Sequence, residues 1–145
     1  MGVVFNGEIY NYKELSKAES LPEHTSEVEL ISVLYQKYGF DFVNQLDGMF
    51  AIALLDTVTR SLYLFRDQFG KKPLWILTNP DGSIEFASEI KALQCTKNIR
   101  TGFASEYLLF GYVPFNKSAY QEINALPPSN FAIWHDRKLE IKEYL

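Results

Sequence analysis

Cysteine is almost missing from this chain. Cys95 is the only one in 145 residues. A single thiol excludes an internal disulfide framework and is compatible with a reducing compartment. Histidine is nearly as scarce. His24 and His135 lie far apart and have no cysteine-rich neighbours, which argues against a zinc site. No apolar run approaches the ~20 residues of a membrane span, and residues 1–145 show no secretory leader pattern. There is no basic excess: 14 Lys and Arg stand against 18 Asp and Glu, a net charge of −4. That balance argues against a nucleic-acid or anionic-membrane partner, both of which need a basic footprint. The sequence has no glycine-rich nucleotide loop, no internal repeat and no low-complexity stretch. Together these absences point to a cytoplasmic protein without a metal of its own.

What is present suits one well-filled domain. Hydrophobic residues make up 47% of the chain and aromatics 15%, enough to fill a core. Asn11 stands before a short helix expected over 12–18, with Glu14 at capping-box spacing. Ser26 and Glu29 form a true capping box, three residues apart. The helix they open carries Leu30, Ile31, Leu34, Tyr35 and Tyr38 at helical spacing, and Gly39 stops it. A short second helix is expected over 40–46. Met49 to Leu55 is a nearly unbroken apolar run, as in a strand covered on both faces. Asp56 to Arg60 turns the chain into an alternating strand over 61–66. Strands at 74–78 and 84–86 flank an Asn79-Pro80-Asp81-Gly82 turn. Ser88 is expected to cap a helix reaching about Cys95. A helix over 104–110 ends at Gly111, and 131–134 with 139–144 read as a closing hairpin. Strands in pairs with helices grouped between them suggest an α+β sandwich, not a βαβ series.

Asn6-Gly7-Glu8 follows the apolar run Gly2-Val3-Val4-Phe5. A strand ending there in an Asn-Gly turn is the plain reading, because the dipeptide is a common hairpin turn. The same residues admit a second use. The Asn6 side-chain amide and the Gly7 backbone N–H are two neutral donors that could hold the oxyanion of an acyl-transfer intermediate.

The stretch Val3-Val4-Phe5-Asn6-Gly7-Glu8-Ile9-Tyr10-Asn11-Tyr12 resembles a signature of the class II glutamine amidotransferase domain of glutamine-hydrolysing asparagine synthetases. Four more blocks follow in that family's order: Ser26 to Glu29, Leu46 to Ala51, Arg66 to Leu74, and Phe86 to Leu93. The resemblance covers nearly the whole chain. It implies an α+β four-layer sandwich of the N-terminal nucleophile hydrolase type, incomplete at the N-terminus. It makes 1–145 a partial amidotransferase domain, with 98–145 leading toward a synthetase domain. Glu106 to Pro114 and Leu126 to Ser129 resemble the run found there, with Ser129 where the family commonly has glycine.

The family's chemistry is implied in the same way. An N-terminal cysteine attacks the glutamine side-chain amide, with its own α-amino group as base. Asn6 and Gly7 match the oxyanion-hole pair, and Glu8 matches a glutamine-binding position. Glu27 stands where the family usually has an aspartate that holds the substrate α-amino group. A first-turn glutamate also steadies the helix dipole with no ligand at all. Arg66 and Asp67 read either as an anion-binding pair or as side chains that fix the turn before Gly70; the turn is the favoured reading. The sequence begins inside the oxyanion strand, without the nucleophile or the carboxylate-gripping arginine. Residues 1–145 are therefore expected to lack glutaminase and synthetase activity on their own. ATP and magnesium are expected only in a synthetase domain outside this stretch. The parent reaction would be ATP-dependent amidation of aspartate. The alternatives are a non-catalytic glutamine-binding or scaffold module and, last, a hydrolase using Cys95. Expected partners are weakly bound glutamine, a synthetase domain, or a second copy paired through a sheet edge exposed at Val3 to Phe5.

Overall fold

A computed structural model describes residues 1–93, 98–114 and 116–145. Two antiparallel sheets lie face to face, with helices on the outside. The larger sheet has the order β1-β2-β3-β7-β8 and the smaller the order β5-β4-β6. The strands of the larger are β1 Gly2–Ile9, β2 Gly48–Asp56, β3 Ser61–Arg66, β7 Asn130–His135 and β8 Lys138–Glu143. Those of the smaller are β4 Trp75–Thr78, β5 Ile84–Ala87 and β6 Ile123–Ala125. Helices α1 (Tyr12–Ala18) and α2 (Glu27–Tyr38) precede a 3-10 stretch, Gly39–Gln45, and α3 (Phe103–Phe110) lies late in the chain.

The outer face of the large sheet is covered by α2. Leu30, Ile31 and Leu34 of α2 are buried against Phe50, Ile52 and Leu54 of β2 and Ile9 of β1. Each such side chain contributes about 1.5–3 kcal/mol on leaving water. The 3-10 stretch adds Phe40 and Phe42 to an aromatic cluster. Phe40 stacks on Phe131 at 5.1 Å, and Phe42 meets Phe65 edge-on at 5.1 Å. Burial raises the Tyr35 phenol above its usual range, with the Tyr63 hydroxyl adding to the effect.

Alternate residues of the same strands face the small sheet. Ala51, Ala53, Leu64 and Ala132 pack on Leu74, Ile76 and Leu126. This two-sided burial explains why β2 reads as one apolar run. Leu77, Leu93 and Ile123 cover the far side of the small sheet. The capping box forms as expected: Glu29 N donates to Ser26 Oγ at 3.3 Å and Ser26 N to Glu29 Oε2 at 2.7 Å.

Three local expectations are corrected. The Asn6-Gly7 pair is not a turn. β1 runs through it to Ile9, with Asn6 opposite Ala51 and Gly7 opposite Phe50. The cause is long-range pairing with β2, which overrides the local turn propensity. Asn11 occupies the N-cap position of α1 but makes no side-chain cap bond. Its amide reaches across to another segment instead. Ser88 caps no helix; a 3-10 turn covers only Ile90–Ala92, with Glu89 before it. The rest of that expectation, including Cys95, lies outside the described residues, and β6 was not anticipated.

The two edges of the large sheet differ. β8 carries Lys138, Glu140, Lys142 and Glu143, charges that discourage further pairing. β1 carries one charge, Glu8, near its end, and Val4 is 64% exposed.

Candidate functional site

The open edge of β1 is where the sequence-predicted residues gather. Two backbone bonds fix which amides face it. Tyr10 N donates to Asp47 O at 2.7 Å, and Asp67 N donates to Phe50 O at 2.9 Å. With the register Asn6 to Ala51 and Gly7 to Phe50, alternation turns the amides of Val4, Asn6 and Glu8 toward β2. Those of Phe5, Gly7 and Ile9 turn outward to the edge.

Ile9 N finds its acceptor in Glu27 Oε1 at 2.6 Å. This is a short, charge-assisted bond between the first residue of α2 and the end of β1. It places the Glu27 carboxylate on the edge that carries the Gly7 amide. Two residues of strand separate them, about 7 Å. Glu27 Oε2 makes no hydrogen bond among the described residues. Glu27 thus ties the helix to the strand through one carboxylate oxygen.

Asn6 and Glu8 project from the opposite face of β1, toward the small sheet, and both are exposed. The Asn6 side-chain amide makes no hydrogen bond among the described residues. It borders a cleft of about 240 Å³ between the sheets, lined by Val4, Ala51, Leu74, Phe86 and Ser88. The structure therefore brings Gly7 and Glu27 to one edge, with Asn6 and Glu8 on the side facing the cleft.

Gly7 is required for a reason that precedes any ligand. A Cβ there would lie 2.1 Å from Met49 O. Gly48 on β2 has the reciprocal constraint: its Cβ would lie 2.2 Å from Glu8 O. Only two glycines allow the strands to approach this closely.

Two clamps hold the ends of β1 and β2. Asn11 Nδ2 donates to Gln45 O at 2.9 Å, and its Oδ1 accepts from Asp47 N at 3.0 Å. The partners are 34 and 36 residues away, so no local signal in the sequence could have shown this role. Asp67 is fully buried. Its carboxylate accepts from Phe69 N (3.1 Å), Lys71 N (2.9 Å), Lys72 N (2.9 Å) and Phe50 N (3.3 Å). Arg66 donates to the carbonyls of Lys72, Leu126 and Gly70 at 2.9, 2.6 and 2.8 Å. The turn-fixing reading of Arg66 and Asp67 is the one the structure bears out. Burial lowers the Arg66 guanidinium below its usual range, and the Asp67 charge opposes that. The Tyr144 hydroxyl donates to Arg66 O at 2.7 Å, and burial raises that phenol. Ser129 adopts a left-handed φ of 58°, the conformation for which glycine is the easier residue.

Among the described residues Lys71 and Lys72 approach no acidic side chain within ion-pair distance. Among the described residues no three His, Cys, Asp or Glu side chains are grouped to hold a metal ion. Among the described residues no helix is long and apolar enough to cross a membrane.

Known proteins resemble this chain in sequence and in fold. Residues 1–145 match the family described as a glutamine amidotransferase domain. Asparagine synthetase (glutamine-hydrolysing) 3 of Arabidopsis thaliana is 48% identical over 97 residues, 64% of this chain and 16% of that protein. The putative asparagine synthetase (glutamine-hydrolysing) 2 of Methanocaldococcus jannaschii is 33% identical over 149 residues, 98% of this chain and 29% of that protein. The chain thus spans less than a third of the length of these relatives. Among solved structures, glutamine phosphoribosylpyrophosphate amidotransferase from B. subtilis superposes with a TM-score of 0.69 at 17% identity, over 99% of this chain and 29% of that one. A second structure, an allosteric regulatory enzyme of purine biosynthesis, gives 0.70 at 18% identity, over 99% and 28%. At such identities they establish the fold, that of the N-terminal nucleophile amidotransferases. With a family match along its whole length and two sheets in the arrangement of those enzymes, this chain belongs to the glutamine amidotransferase domain family.

Proposed function

We propose that residues 1–145 form the part of a glutamine site that holds the substrate amide and α-amino group. The parent protein would be a glutamine-hydrolysing asparagine synthetase that amidates aspartate with glutamine nitrogen and ATP. The observation that carries this reading is the shared edge of β1. Gly7 N–H and the Glu27 carboxylate stand about 7 Å apart along it, by strand geometry. That spacing suits an extended glutamine, with its amide oxygen toward Gly7 and its ammonium toward Glu27. Asn6 supplies the second donor to the amide oxygen, and Glu8 accepts from the amide nitrogen.

In this reading Asn6 and Gly7 stabilise the oxyanion once a nucleophile is supplied. Cysteine thiolate attack comes from a segment other than 1–145. ATP and magnesium belong to a synthetase partner domain, and the protein works in the cytoplasm. The chain alone binds glutamine without hydrolysing it. Lacking a bidentate arginine for the substrate carboxylate, it forfeits a few kcal/mol, roughly two orders of magnitude in affinity. Millimolar binding is the expected result.

Chemical-shift titration with L-glutamine tests this. Shifts at Asn6 to Ile9 that weaken in Asn6→Ala and Glu27→Ala are expected. Glutamate should bind more weakly, because its side-chain carboxylate would meet Glu8. No glutamine-dependent shift at high millimolar ligand would overturn the proposal and leave a scaffold role.

A further inference from the structure

Two reactive side chains meet across β3 and β7, away from the β1 edge. Ser61 opens β3 and His135 closes β7. The register that pairs Leu62 with Trp134, carried one residue further, sets them opposite each other on one face of the large sheet. With Asp67 N bonded to Phe50 O, alternation spends the Ser61 amide on β2. Ser61 and His135 are then a non-hydrogen-bonded pair, the kind whose side chains stand closest. The Ser61 hydroxyl lies 3.0 Å from His135 Nδ1. On the other side of the ring, Asp136 Oδ2 lies 3.2 Å from Nε2. A carboxylate there holds the ring proton on Nε2 and leaves Nδ1 as an acceptor, so the hydroxyl donates to the imidazole. The competing acceptor, Thr59 O, is farther off at 3.3 Å. The serine and the histidine are 74 residues apart, too far for a local motif to reveal them.

We propose that Ser61, His135 and Asp136 form a second reactive site, which transfers the acyl group of a small carboxylic ester to Ser61 and then to water. The geometry is that of a nucleophile within reach of a base, and of a base faced by a third group. All three border an open cleft of about 470 Å³, room for a small ester. Ser61 is otherwise buried, 4% exposed. Ser61 Oγ attacks the ester carbonyl as its proton passes to His135 Nδ1. The bond to the alcohol oxygen breaks, and Nδ1 returns the proton to that oxygen. Water then attacks the acyl-serine, gives its proton to Nδ1, and releases the carboxylic acid and free Ser61. Asp136 acts as a positioning residue through the imidazole. Lys138 pairs with His135 across β7 and β8 and lines the cleft. It makes no ion pair among the described residues, whereas its neighbour Glu140 is engaged by Lys142. The Lys138 ammonium is therefore the charge available to the developing oxyanion. The site is independent of the glutamine edge. Ser61 pairs with Asp56 and Gly7 with Phe50, six residues along β2, about 20 Å by strand rise.

A fluorophosphonate is the probe, because it captures an activated serine by losing fluoride as the Ser O–P bond forms. Intact mass and peptide mapping of the treated wild-type chain should show one adduct, on Ser61. His135→Gln should slow its formation about 100-fold or more, within the usual span of general-base assistance. With 4-nitrophenyl acetate as substrate, turnover should vanish in Ser61→Ala. Asparagine tolerates the left-handed φ of 47° that Asp136 adopts. Asp136→Asn should therefore lower kcat about tenfold or more and leave KM unchanged. No adduct, or one mapped to another residue, would refute the proposal, and the wild type alone gives that answer if a variant fails to fold. So would an adduct on Ser61 that forms equally fast in His135→Gln, which would reduce the Ser61–His135 bond to a contact between strands.

Discussion

Replacing Asp67 should cost more stability than any other single polar change in this fold. The side chain is fully buried and accepts from four backbone amides. Three of these, at Phe69, Lys71 and Lys72, sit in a surface turn and can recruit water after the carboxylate is gone. The fourth, Phe50 N, is on a residue only 2% exposed and cannot. Stranding it costs about 1–3 kcal/mol, and loosening charge-assisted bonds in the turn adds to that. The half-buried Arg66 next to it also loses its countercharge, although its three carbonyl acceptors remain. For Asp67→Ala the sum is about 3–5 kcal/mol, the range for removing one partner of a buried charged network. Asp67→Asn keeps one acceptor oxygen but points an NH2 group at backbone donors, so about 2–3 kcal/mol is expected. Against a typical domain stability of about 5–15 kcal/mol, the alanine variant would lose from about a fifth of it to all of it. Urea unfolding of wild type and both variants measures this directly. An Asp67→Asn variant within about 1 kcal/mol of wild type would refute the claim that this carboxylate organises the turn.

Gly7→Ala should disrupt β1 pairing, because the new methyl would meet Met49 O at 2.1 Å. A loss of about 2 kcal/mol or more is expected from calorimetry, and an unchanged melting temperature would show that the strands can part without cost. Acid should weaken the fold through several surface carboxylates held below their ordinary range. Glu29 is lowered by the Ser26 backbone N–H, Glu106 by Arg100, Glu19 by Lys37, and Asp56 by the Val58 backbone N–H. Since the folded values lie below the unfolded ones, their stabilisation is complete above the unfolded carboxylate range and is lost as pH falls through the folded values. The urea midpoint should therefore drop below about pH 4.5, and the drop should shrink in Glu106→Gln and Ser26→Ala.

Two features whose bonding partners are close in sequence were announced by the residues. Ser26 and Glu29 are three apart, and their reciprocal cap is visible in any reading of the chain. The Arg66 to Lys72 turn was equally legible, because Asp67 bonds amides two to five residues ahead. The family blocks grouped Asn6, Gly7, Glu8 and Glu27 as an expected site, and the structure puts Gly7 and Glu27 on one edge of β1. Other features were closed to sequence reasoning. Asn11 looked like a helix cap, but its donor and acceptor are spent on Gln45 and Asp47. β6 is three residues long, too short for an alternation pattern to register.

The sequence by itself determined α1, α2 and α3, the central hairpin, the buried turn and the family, because each rests on local chemistry or on ordered motifs. Tertiary structure alone decided what Asn6-Gly7 is. Locally it is a turn; opposite Ala51 and Phe50 it becomes straight strand, since cross-strand pairing over more than 40 residues outweighs a dipeptide's propensity. It also decided that Glu27 grips Ile9 N, and so put a carboxylate on the same edge as the Gly7 amide. No local pattern encodes that meeting, because it exists only once α2 has packed across β1.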